Sequence, residues 1–322
     1  MTGDDQRDEG DTLAAAGEFV VIDRLVTGRV QPAAVTLGPG DDAAVVTAAD
    51  GRTVVSTDML VQDRHFRLDW SSPHDVGRKA IAQNAADIEA MGGRPVAFVV
   101  GFGAPSDTPV AAATALSDGL WDEARRLGAG IAGGDLVRAP LWVISVTVLG
   151  DLDGREPVQR TGARVGDIVA VAGELGRSAA GYALLSGGVG GFEELCRRHR
   201  TPQPPYGQGA LAAMAGATAM TDVSDGLLAD LGHIASASGV GIELDRAGFD
   251  ADRMALAAAA DRLGADSWDW VLGGGEDHAL AATFAGAPPP GWRTVGRVGD
   301  GPAAVRVDGA PWPGKVGWQS FD

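Results

Sequence analysis

Short apolar segments alternate with polar, glycine-rich turns along the chain, at lengths typical of strands and of amphipathic helices. The first half predicts a helix at GEFVVIDRLV, strands at DAAVV and RTVVSTD, and a helix in SSPHDVGRKAIAQNAADIEAMGG. A strand at PVAFVVGF, a helix in TPVAAATALSDGLWDEARRLG, and strands around AGIAGGD and LWVISVTVLG follow. In the first long helix, Ser72 is the expected N-cap and Pro73 the first helical residue. This order predicts a mixed sheet with both helices on one face.

In the second half, short apolar segments and polar turns alternate in the same way, but no internal sequence repeat is present. It predicts strands at DIVAVAG, AMTDV and VGIELD, helices near SAAGYALLSGG, in LLADLGHIASAS and over residues 252–263, a proline-rich loop at RTPQPPYGQG, and strands with turns over 278–307. The glycine- and charge-rich segment 151–167 reads as a linker. We therefore predict an α/β (α+β) protein with an N-terminal domain at 17–150, a C-terminal domain at 151–322 and a disordered acidic tail at 1–16.

The charge, cysteine content and hydropathy of the chain limit which partners and which cellular compartment are expected. The net charge of −17 argues against a nucleic-acid partner, because phosphate backbones select basic surfaces. The single cysteine, Cys196, excludes an internal disulfide and favours a reducing compartment. The N-terminus lacks the apolar segment of a signal peptide, and no apolar stretch approaches the roughly 20 residues of a membrane span. The expectation is a cytoplasmic, soluble protein.

Aspartates recur where the pattern predicts strand ends and turns. Asp41 and Asp42 follow a Gly-Pro-Gly turn, Asp58 and Asp135 end predicted strands, Asp87 lies one turn from Asn84 on a helix, and Asp222 and Asp225 flank Ser224 where a strand turns into a helix. Each alone is explained by a turn or an N-cap. Strand ends converge in α/β folds, however, and carboxylates about 4 Å apart repel by about 4 kcal/mol at an effective dielectric of about 20.

A carboxylate cluster of this kind needs cations. Asp, Ser and Thr oxygens suit Mg²⁺, and Mg²⁺ in turn binds phosphates, so an acidic chain can bind ATP through metal bridges. The sequence contains neither a GxxxxGK[ST] loop nor the HRD and DFG motifs of protein kinases. A phosphoryl-transfer site must therefore be of another type.

Eight motifs in a fixed order resemble the thiamine-monophosphate kinases, a family within the aminoimidazole ribonucleotide synthetase superfamily. They are GEF, GPGDDAAVV, VVSTDMLVQDRHF, RKAIAQNAADIEAMGGRP, AGGDLVR, QRTGARVGD, TDVSDGLLADLGHIASAS and GGGEDHAL. The resemblance extends from about residue 17 to the C-terminus. It implies transfer of the γ-phosphoryl group of ATP to thiamine monophosphate, the last step of thiamine diphosphate biosynthesis. It also implies a two-domain synthetase-like fold and a homodimer whose N-terminal sheets join in a barrel.

The resemblance also implies the site residues. Mg²⁺ ligands would be Asp42, Ser56, Thr57, Asp58, Asp87, Asp135, Asp222 and Asp225. ATP would contact Gly134, Asp135, Arg160 and Ser224. Thiamine monophosphate would contact His65, Glu276 and Phe321, with Phe321 stacking on it. Direct in-line transfer needs no general base, because the acceptor phosphate is already ionised.

The sequence departs from the family pattern at two positions, Ala86 in place of serine and His278 in place of an aromatic residue. Histidines 74, 199, 233 and 278 lack metal-ligand spacing and are interpreted as structural. Two alternatives remain: another ATP-using enzyme of the superfamily, or a non-catalytic metal- or nucleotide-binding protein. Selenophosphate synthetase and the carbamoyl-handling hydrogenase maturation protein rely on terminal cysteines, and the only cysteine here is Cys196.

Overall fold

The structure, a computed structural model, describes residues 12–39 and 43–318. The chain divides into two compact units. The first unit comprises the chain up to Asn84 together with Pro95–Asp151, and the second unit comprises Ala85–Arg94 and the chain from Leu152 onward. The division after Asp151 lies next to the predicted linker, but the sequence pattern gave no sign that residues 85–94 join the second unit.

Helices and strands are distributed over both units. The helices are α1 (Leu13–Ala16), α2 (Glu18–Val26), α3 (Pro73–Ala90), α4 (Val110–Arg126), α5 (Arg177–Ser186), α6 (Glu193–Arg200), α7 (Gln208–Met214), α8 (Leu227–Ser238), α9 (Asp250–Leu263) and α10 (Ser267–Gly273). The strands are β1 (Val35–Leu37), β2 (Val45–Val46), β3 (Val54–Val61), β4 (Arg94–Ala104), β5 (Gly130–Arg138), β6 (Val143–Asp151), β7 (Ile168–Ala172), β8 (Ala217–Val223), β9 (Gly241–Leu244), β10 (Ala279–Phe284), β11 (Trp292–Gly299) and β12 (Val305–Val307). None of the described helices is long and apolar enough to span a bilayer.

A four-stranded mixed sheet forms the centre of the first unit, in the order β3-β6-β4-β5. β3 and β6 pair antiparallel, and β4 and β5 pair parallel, which confirms the predicted mixed sheet. Helices α3 and α4 pack so closely that a Cβ on Gly77 would lie only 2.2 Å from the Leu116 carbonyl oxygen. Helix α3 begins as predicted: the Ser72 hydroxyl accepts from the Asp75 N–H (3.1 Å), and the Ser72 N–H donates to the Asp75 carboxylate (3.1 Å).

The second unit is built on a six-stranded mixed sheet in the order β12-β9-β11-β7-β10-β8. Only the β12–β9 pair is parallel among the pairs described in this sheet. Residues 85–94 belong to this unit because the buried Glu89 carboxylate accepts from the backbone N–H groups of Gly207 (2.8 Å) and Gly209 (3.0 Å) at the start of α7. Burial raises the pKa of Glu89, and those two backbone hydrogen bonds oppose the rise.

The predicted acidic tail over residues 1–16 extends too far. Residues 1–11 lie outside the described residues, but Leu13–Ala16 form helix α1. The Thr12 hydroxyl accepts from the Ala15 N–H (3.2 Å), and the Leu13 N–H donates to the Thr108 carbonyl oxygen (2.9 Å). A side-chain cap and a contact distant in sequence therefore order a segment that composition alone assigned to the tail.

Candidate active site

Strand β3 places Ser56, Thr57 and Asp58 in its interior, whereas the sequence pattern predicted a strand end there. The strand continues to Val61 because Leu60 is buried and pairs with Ile144 of β6. Successive strand side chains point to opposite faces, so Ser56 and Asp58 lie on one face and Thr57 on the other. The Thr57 hydroxyl donates to the Val146 carbonyl oxygen (3.0 Å) and accepts from the Thr147 hydroxyl (3.1 Å). Three consecutive side chains of this strand thus do not converge on one point.

Helix α3 packs on the face of the sheet toward which Asp58 points, and its side chains contact Asp58. The Asp58 N–H donates to the Asn84 side-chain oxygen (3.1 Å), and the Gln83 amide donates to the Asp58 carboxylate (3.3 Å). Asn84 is buried and also donates to the Ala80 carbonyl oxygen (2.9 Å), which fixes its orientation. The polar residues next to the apolar stripe of α3 therefore orient the strand that carries Asp58.

Gly134 and Asp135 lie on β5, at the opposite edge of the same sheet. Asp135 is also interior to its strand, not at its end, because β4 and β5 pair as far as Ala104 and Arg138. A Cβ on Gly134 would lie 2.1 Å from the Val100 carbonyl oxygen, so only glycine fits there. Three strand spacings separate β3 from β5, roughly 14 Å. Within the first unit, Asp58 and Asp135 are thus not neighbours.

An apolar cavity of about 650 Å³ lies beside Gly134 and Asp135, within the first unit. Its walls include Phe19 and Ile22 of α2 and Leu120 and Trp121 of α4. Flat aromatic ligands suit sites of this size that are mostly apolar and have a few polar groups at the rim.

His65 follows β3 in a turn and is exposed. Its Nδ1 accepts from the Val61 N–H (3.0 Å), so a neutral ring carries its hydrogen on Nε2. The backbone is fixed as well, because the buried Lys79 ammonium donates to the His65 carbonyl oxygen (2.8 Å). His65 is therefore an oriented side chain with a donor at Nε2.

In the second unit, β8 leads through Ser224 and Asp225 into helix α8. The N-cap is Gly226, which has no side chain with which to cap the helix. Asp230 supplies the cap instead, because its carboxylate accepts from the N–H groups of Asp225 (3.1 Å) and Gly226 (3.0 Å). The turn is thereby held by a carboxylate from inside the helix that follows it.

Carboxylates are crowded around this turn. Burial, followed by the charge of Asp222, raises the pKa of Asp225. Burial and the charges of Asp222 and Asp225 raise the pKa of Asp230 to about 7. Arg160 is exposed, and its positive charge acts on Asp225 in the opposite direction. The ionised cluster is therefore unfavourable unless positive charge is present nearby.

The segment Gly274–His278 docks against the same turn, backbone to backbone. The Glu276 N–H donates to the Ser224 carbonyl oxygen (2.7 Å), and the His278 N–H donates to the Val223 carbonyl oxygen (2.9 Å). A Cβ on Gly275 would lie 2.4 Å from the Ser224 oxygen, which explains the glycine there. Glu276 has φ of 63°, a left-handed conformation that is uncommon outside glycine.

Three consecutive side chains of this segment reach three different elements. Glu276 lies 3.4 Å from the buried His199 on α6. The buried Asp277 carboxylate accepts from the N–H groups of Gly176 (2.6 Å) and Ser178 (2.8 Å) at the start of α5. His278 Nδ1 lies 3.2 Å from the Asp222 carboxylate. Burial lowers the pKa of His278, but the hydrogen bond and charge of Asp222, with further charges, outweigh it and leave the pKa raised.

Asp87 also belongs to this region of the second unit. It is partly buried near the end of α3, and its charge is among those that raise the pKa of His278. The second unit thus brings together Asp87, Arg160, Asp222, Ser224, Asp225 and Glu276 from the predicted set. Within residues 12–39 and 43–318, no three His, Cys, Asp or Glu side chains are grouped closely enough to hold a metal ion by themselves.

Two predicted residues, Asp42 and Phe321, lie outside the described residues. Trp318 is the last described residue; its N–H donates to the Asp225 carbonyl oxygen (2.9 Å), and its indole is largely exposed. Trp318, Asp230 and Asp277 were not among the predicted site residues, and His199 was interpreted as structural. Asp230 and Asp277 lie within quoted motifs and could have been found there, whereas Trp318 and His199 lie outside the motifs and have no local signal.

Comparison with known proteins gives consistent matches over nearly the whole chain. The family model for the AIR synthase related protein N-terminal domain matches residues 40–152, and that for the C-terminal domain matches residues 164–268. The thiamine-monophosphate kinase of Mycobacterium tuberculosis is 70% identical over 313 residues, which cover 97% of this chain and 94% of the relative. That of Corynebacterium glutamicum is 44% identical and covers 97% and 96%.

Solved structures agree. The thiamine-monophosphate kinase of Stenotrophomonas maltophilia K279a superposes with a TM-score of 0.76 at 31% identity, over 90% of this chain and 95% of that chain. AaThiL complexed with AMPPCP and TMP superposes with a TM-score of 0.76 at 30% identity, over 95% and 97%. This chain therefore belongs to the thiamine-monophosphate kinase family of AIR synthase related proteins.

Proposed function

We propose that this protein transfers the terminal phosphoryl group of ATP to thiamine monophosphate, giving ADP and thiamine diphosphate. Glu276 carries this proposal, because it is hydrogen bonded through its N–H to Ser224 in the crowded carboxylate turn, in a chain of this kinase family. A carboxylate suits the thiamine body, which has a permanent thiazolium cation and an aminopyrimidine that donates hydrogen bonds. A relative in the same family, AaThiL, is complexed with an ATP analogue, AMPPCP, and TMP.

Mg²⁺ fits the donors of the second unit. Asp222 and Asp225 offer hard oxygens at one turn, and burial and the charge of Asp222 raise the pKa of Asp225, so an ionised pair gains from a cation. Mg²⁺ at kinase sites is held by one or two carboxylates plus phosphates and water, so three grouped side chains are not required. The family resemblance assigns further Mg²⁺ ligands to Asp42, Ser56, Thr57, Asp58, Asp87 and Asp135. They would serve several ions and not one, because Asp58 and Asp135 lie at opposite edges of their sheet and Thr57 faces away from Asp58. Bound with ATP, Mg²⁺ would neutralise phosphate charge during in-line transfer.

The nucleotide is assigned to Gly134, Asp135, Arg160 and Ser224, as the family resemblance implies. The apolar cavity of about 650 Å³ beside Gly134 and Asp135 suits the adenine base, since it is lined by Phe19 and Trp121 among other apolar side chains. Arg160 supplies positive charge near Asp225, where phosphate groups would need it.

The chain's own residues bind and orient the acceptor and move no proton. The acceptor phosphate is ionised at neutral pH, so it can attack the γ-phosphorus without a general base, and no phosphoenzyme forms. His65 offers the Nε2 donor of its neutral ring to the acceptor. Glu276 binds the thiamine body. For the aromatic contact that the resemblance assigns to Phe321, we propose Trp318 as well, because its backbone is hydrogen bonded to Asp225 and its indole is exposed.

The surface of the first unit supports the proposal that the protein is a homodimer. Large apolar side chains on three strands are exposed: Val55, Met59, Val99 and Val137. They share one face of the sheet, because Met59 pairs with Ser145, a Cβ on Gly101 would approach Ser145, and Gly103 pairs with Val137. An apolar sheet face of this kind favours association with a second copy, as the family resemblance implies. Sedimentation equilibrium should give twice the chain mass.

ADP release under three conditions tests the proposed function. The protein with Mg²⁺ and ATP should form ADP rapidly with thiamine monophosphate, and far more slowly with thiamine or with no acceptor. Thiamine should be poor because its alcohol is not ionised and the site supplies no base. Equal ADP release without any acceptor would mean that the protein only hydrolyses ATP, and it would contradict the proposal.

A further inference from the structure

His199 lies between two side chains from different elements of the second unit. Its Nδ1 is 3.1 Å from the Ser178 hydroxyl on α5 and 3.4 Å from a carboxylate oxygen of Glu276. The His199 side chain is 7% exposed, whereas the Glu276 side chain is 35% exposed. A buried ring therefore contacts one side of a carboxylate that faces solvent on its other side.

The imidazole is held firmly. Helices α5 and α6 pack so closely that a Cβ on Gly181 would lie 2.1 Å from the Leu195 carbonyl oxygen. The Tyr182 ring packs edge-on against His199, with centroids 5.5 Å apart and an interplanar angle of 65°. The start of α5 is joined to the Glu276 segment by the Asp277 carboxylate, which accepts from the Ser178 N–H (2.8 Å). His199 and the backbone of residue 276 are thus parts of one rigid arrangement.

Glu276, in contrast, has a fixed backbone and a long side chain with three rotatable bonds. Its φ of 63° and its N–H bond to Ser224 set where the chain turns, but they do not set where the carboxylate points. An ionised carboxylate only accepts hydrogen bonds, so His199 can donate to Glu276 only when its Nδ1 carries the hydrogen. The separation of 3.4 Å exceeds an ordinary hydrogen bond, as expected for one nitrogen placed between two oxygens.

We propose that His199 is a positioning residue for the acceptor. Its Nδ1–H donates to Glu276, holds the carboxylate against α5 and α6, and directs the exposed part of that carboxylate toward the cationic, hydrogen-bond-donating body of the acceptor. The Ser178 hydroxyl contacts the same nitrogen and thereby fixes the orientation of the ring. This role rests on the proposed function of Glu276 and extends it to a residue that touches neither ATP nor the reacting atoms.

The test compares His199→Leu with His199→Asn. Leucine fills similar space without a donor, whereas the asparagine amide replaces the Nδ1 donor. We expect His199→Leu to raise KM for thiamine monophosphate about tenfold, the effect of one charged hydrogen bond at the low end of its range, with kcat and KM for ATP nearly unchanged. His199→Asn should recover most of the affinity. The matched control is His74→Leu, at a partly exposed histidine of α3 that pairs with Asp122 (2.8 Å) in the first unit, and it should leave all constants unchanged.

A double-mutant cycle separates positioning from general packing. If His199 acts through Glu276, then His199→Leu should add little to the KM of Glu276→Gln, whereas a packing defect would add its full effect. Should His199→Leu fail to fold, Ser178→Ala keeps the N–H that Asp277 accepts from and removes only the hydroxyl. It should raise the same KM about threefold, near the low end for a neutral hydrogen bond. An active wild type with unchanged KM in the folded histidine or serine variants would overturn this inference alone. A wild type without acceptor-dependent ADP formation would overturn the proposed function and this inference together.

Discussion

Asp277→Asn removes a buried carboxylate whose ionisation should make the protein less stable as pH rises. Asp277 is 7% exposed, and burial raises its pKa from 3.8 to about 7 against the hydrogen bonds from Ser178 and Gly176. Because the folded pKa lies above the unfolded one, the native state retains a proton that the unfolded chain releases. The stability from this group is therefore complete below pH 4 and is lost as pH rises through 7.

The magnitude follows from the pH range that the protein allows. The isoelectric point of about 4.6 makes work below pH 5 impractical, so pH 5 and pH 8 are the two conditions. About two pH units of the shift fall inside that range, and at about 1.4 kcal/mol per unit the wild type should lose about 3 kcal/mol of unfolding free energy from Asp277. Asparagine does not titrate, so Asp277→Asn should lack this loss.

Urea unfolding of the metal-free protein at both pH values provides the measurement. The quantity is the change, between pH 5 and pH 8, in the difference of unfolding free energy between wild type and variant, so any constant effect of the amide on local hydrogen bonds cancels. Asp300→Asn, at an exposed aspartate of the same unit, is the matched control and should show the wild-type pH dependence. If Asp277→Asn also kept the wild-type pH dependence, the assignment of a raised pKa to Asp277 would be refuted.

Three further predictions concern the site. Asp58→Asn or Asp135→Asn should abolish phosphoryl transfer with thermal unfolding close to wild type, because each removes a proposed Mg²⁺ ligand and leaves the sheet intact; near-normal turnover at saturating Mg²⁺ would rule that ligand out. Glu276→Gln should raise KM for thiamine monophosphate by roughly 10- to 150-fold, the range of a charged hydrogen bond, while KM for ATP stays near wild type; a loss of ATP affinity instead would place Glu276 among the metal ligands. Trp318→Ala should weaken thiamine monophosphate binding in calorimetric titration but not AMPPCP binding, and an unchanged acceptor affinity would return the aromatic contact to Phe321 alone.

Local patterns in the sequence were sufficient for most of the longer elements and for the family, but they did not predict the short helices α6, α7 and α10. Ser72, Pro73 and Asp75 specify the start of α3 through contacts within one helical turn, so the helix could be predicted from its own residues. The mixed sheet of the first unit follows from the order of strands and helices. The ordered motifs identified the kinase family, and one of them, TDVSDGLLADLGHIASAS, covers the β8–α8 turn and its aspartates.

Tertiary structure decided how these side chains are oriented and which partners they have. Asp58 and Asp135 were expected at strand ends, but both are interior to strands at opposite edges of a sheet, because strand length depends on the neighbouring strand, which is distant in sequence. Thr57 points away from its neighbours because strand side chains alternate. His199 reaches Glu276, and Asp277 caps α5, only after folding brings separate elements into contact. Side-chain periodicity is a local property of the chain, whereas burial and hydrogen-bond partners depend on segments far apart in sequence, and so only the folded protein determines them.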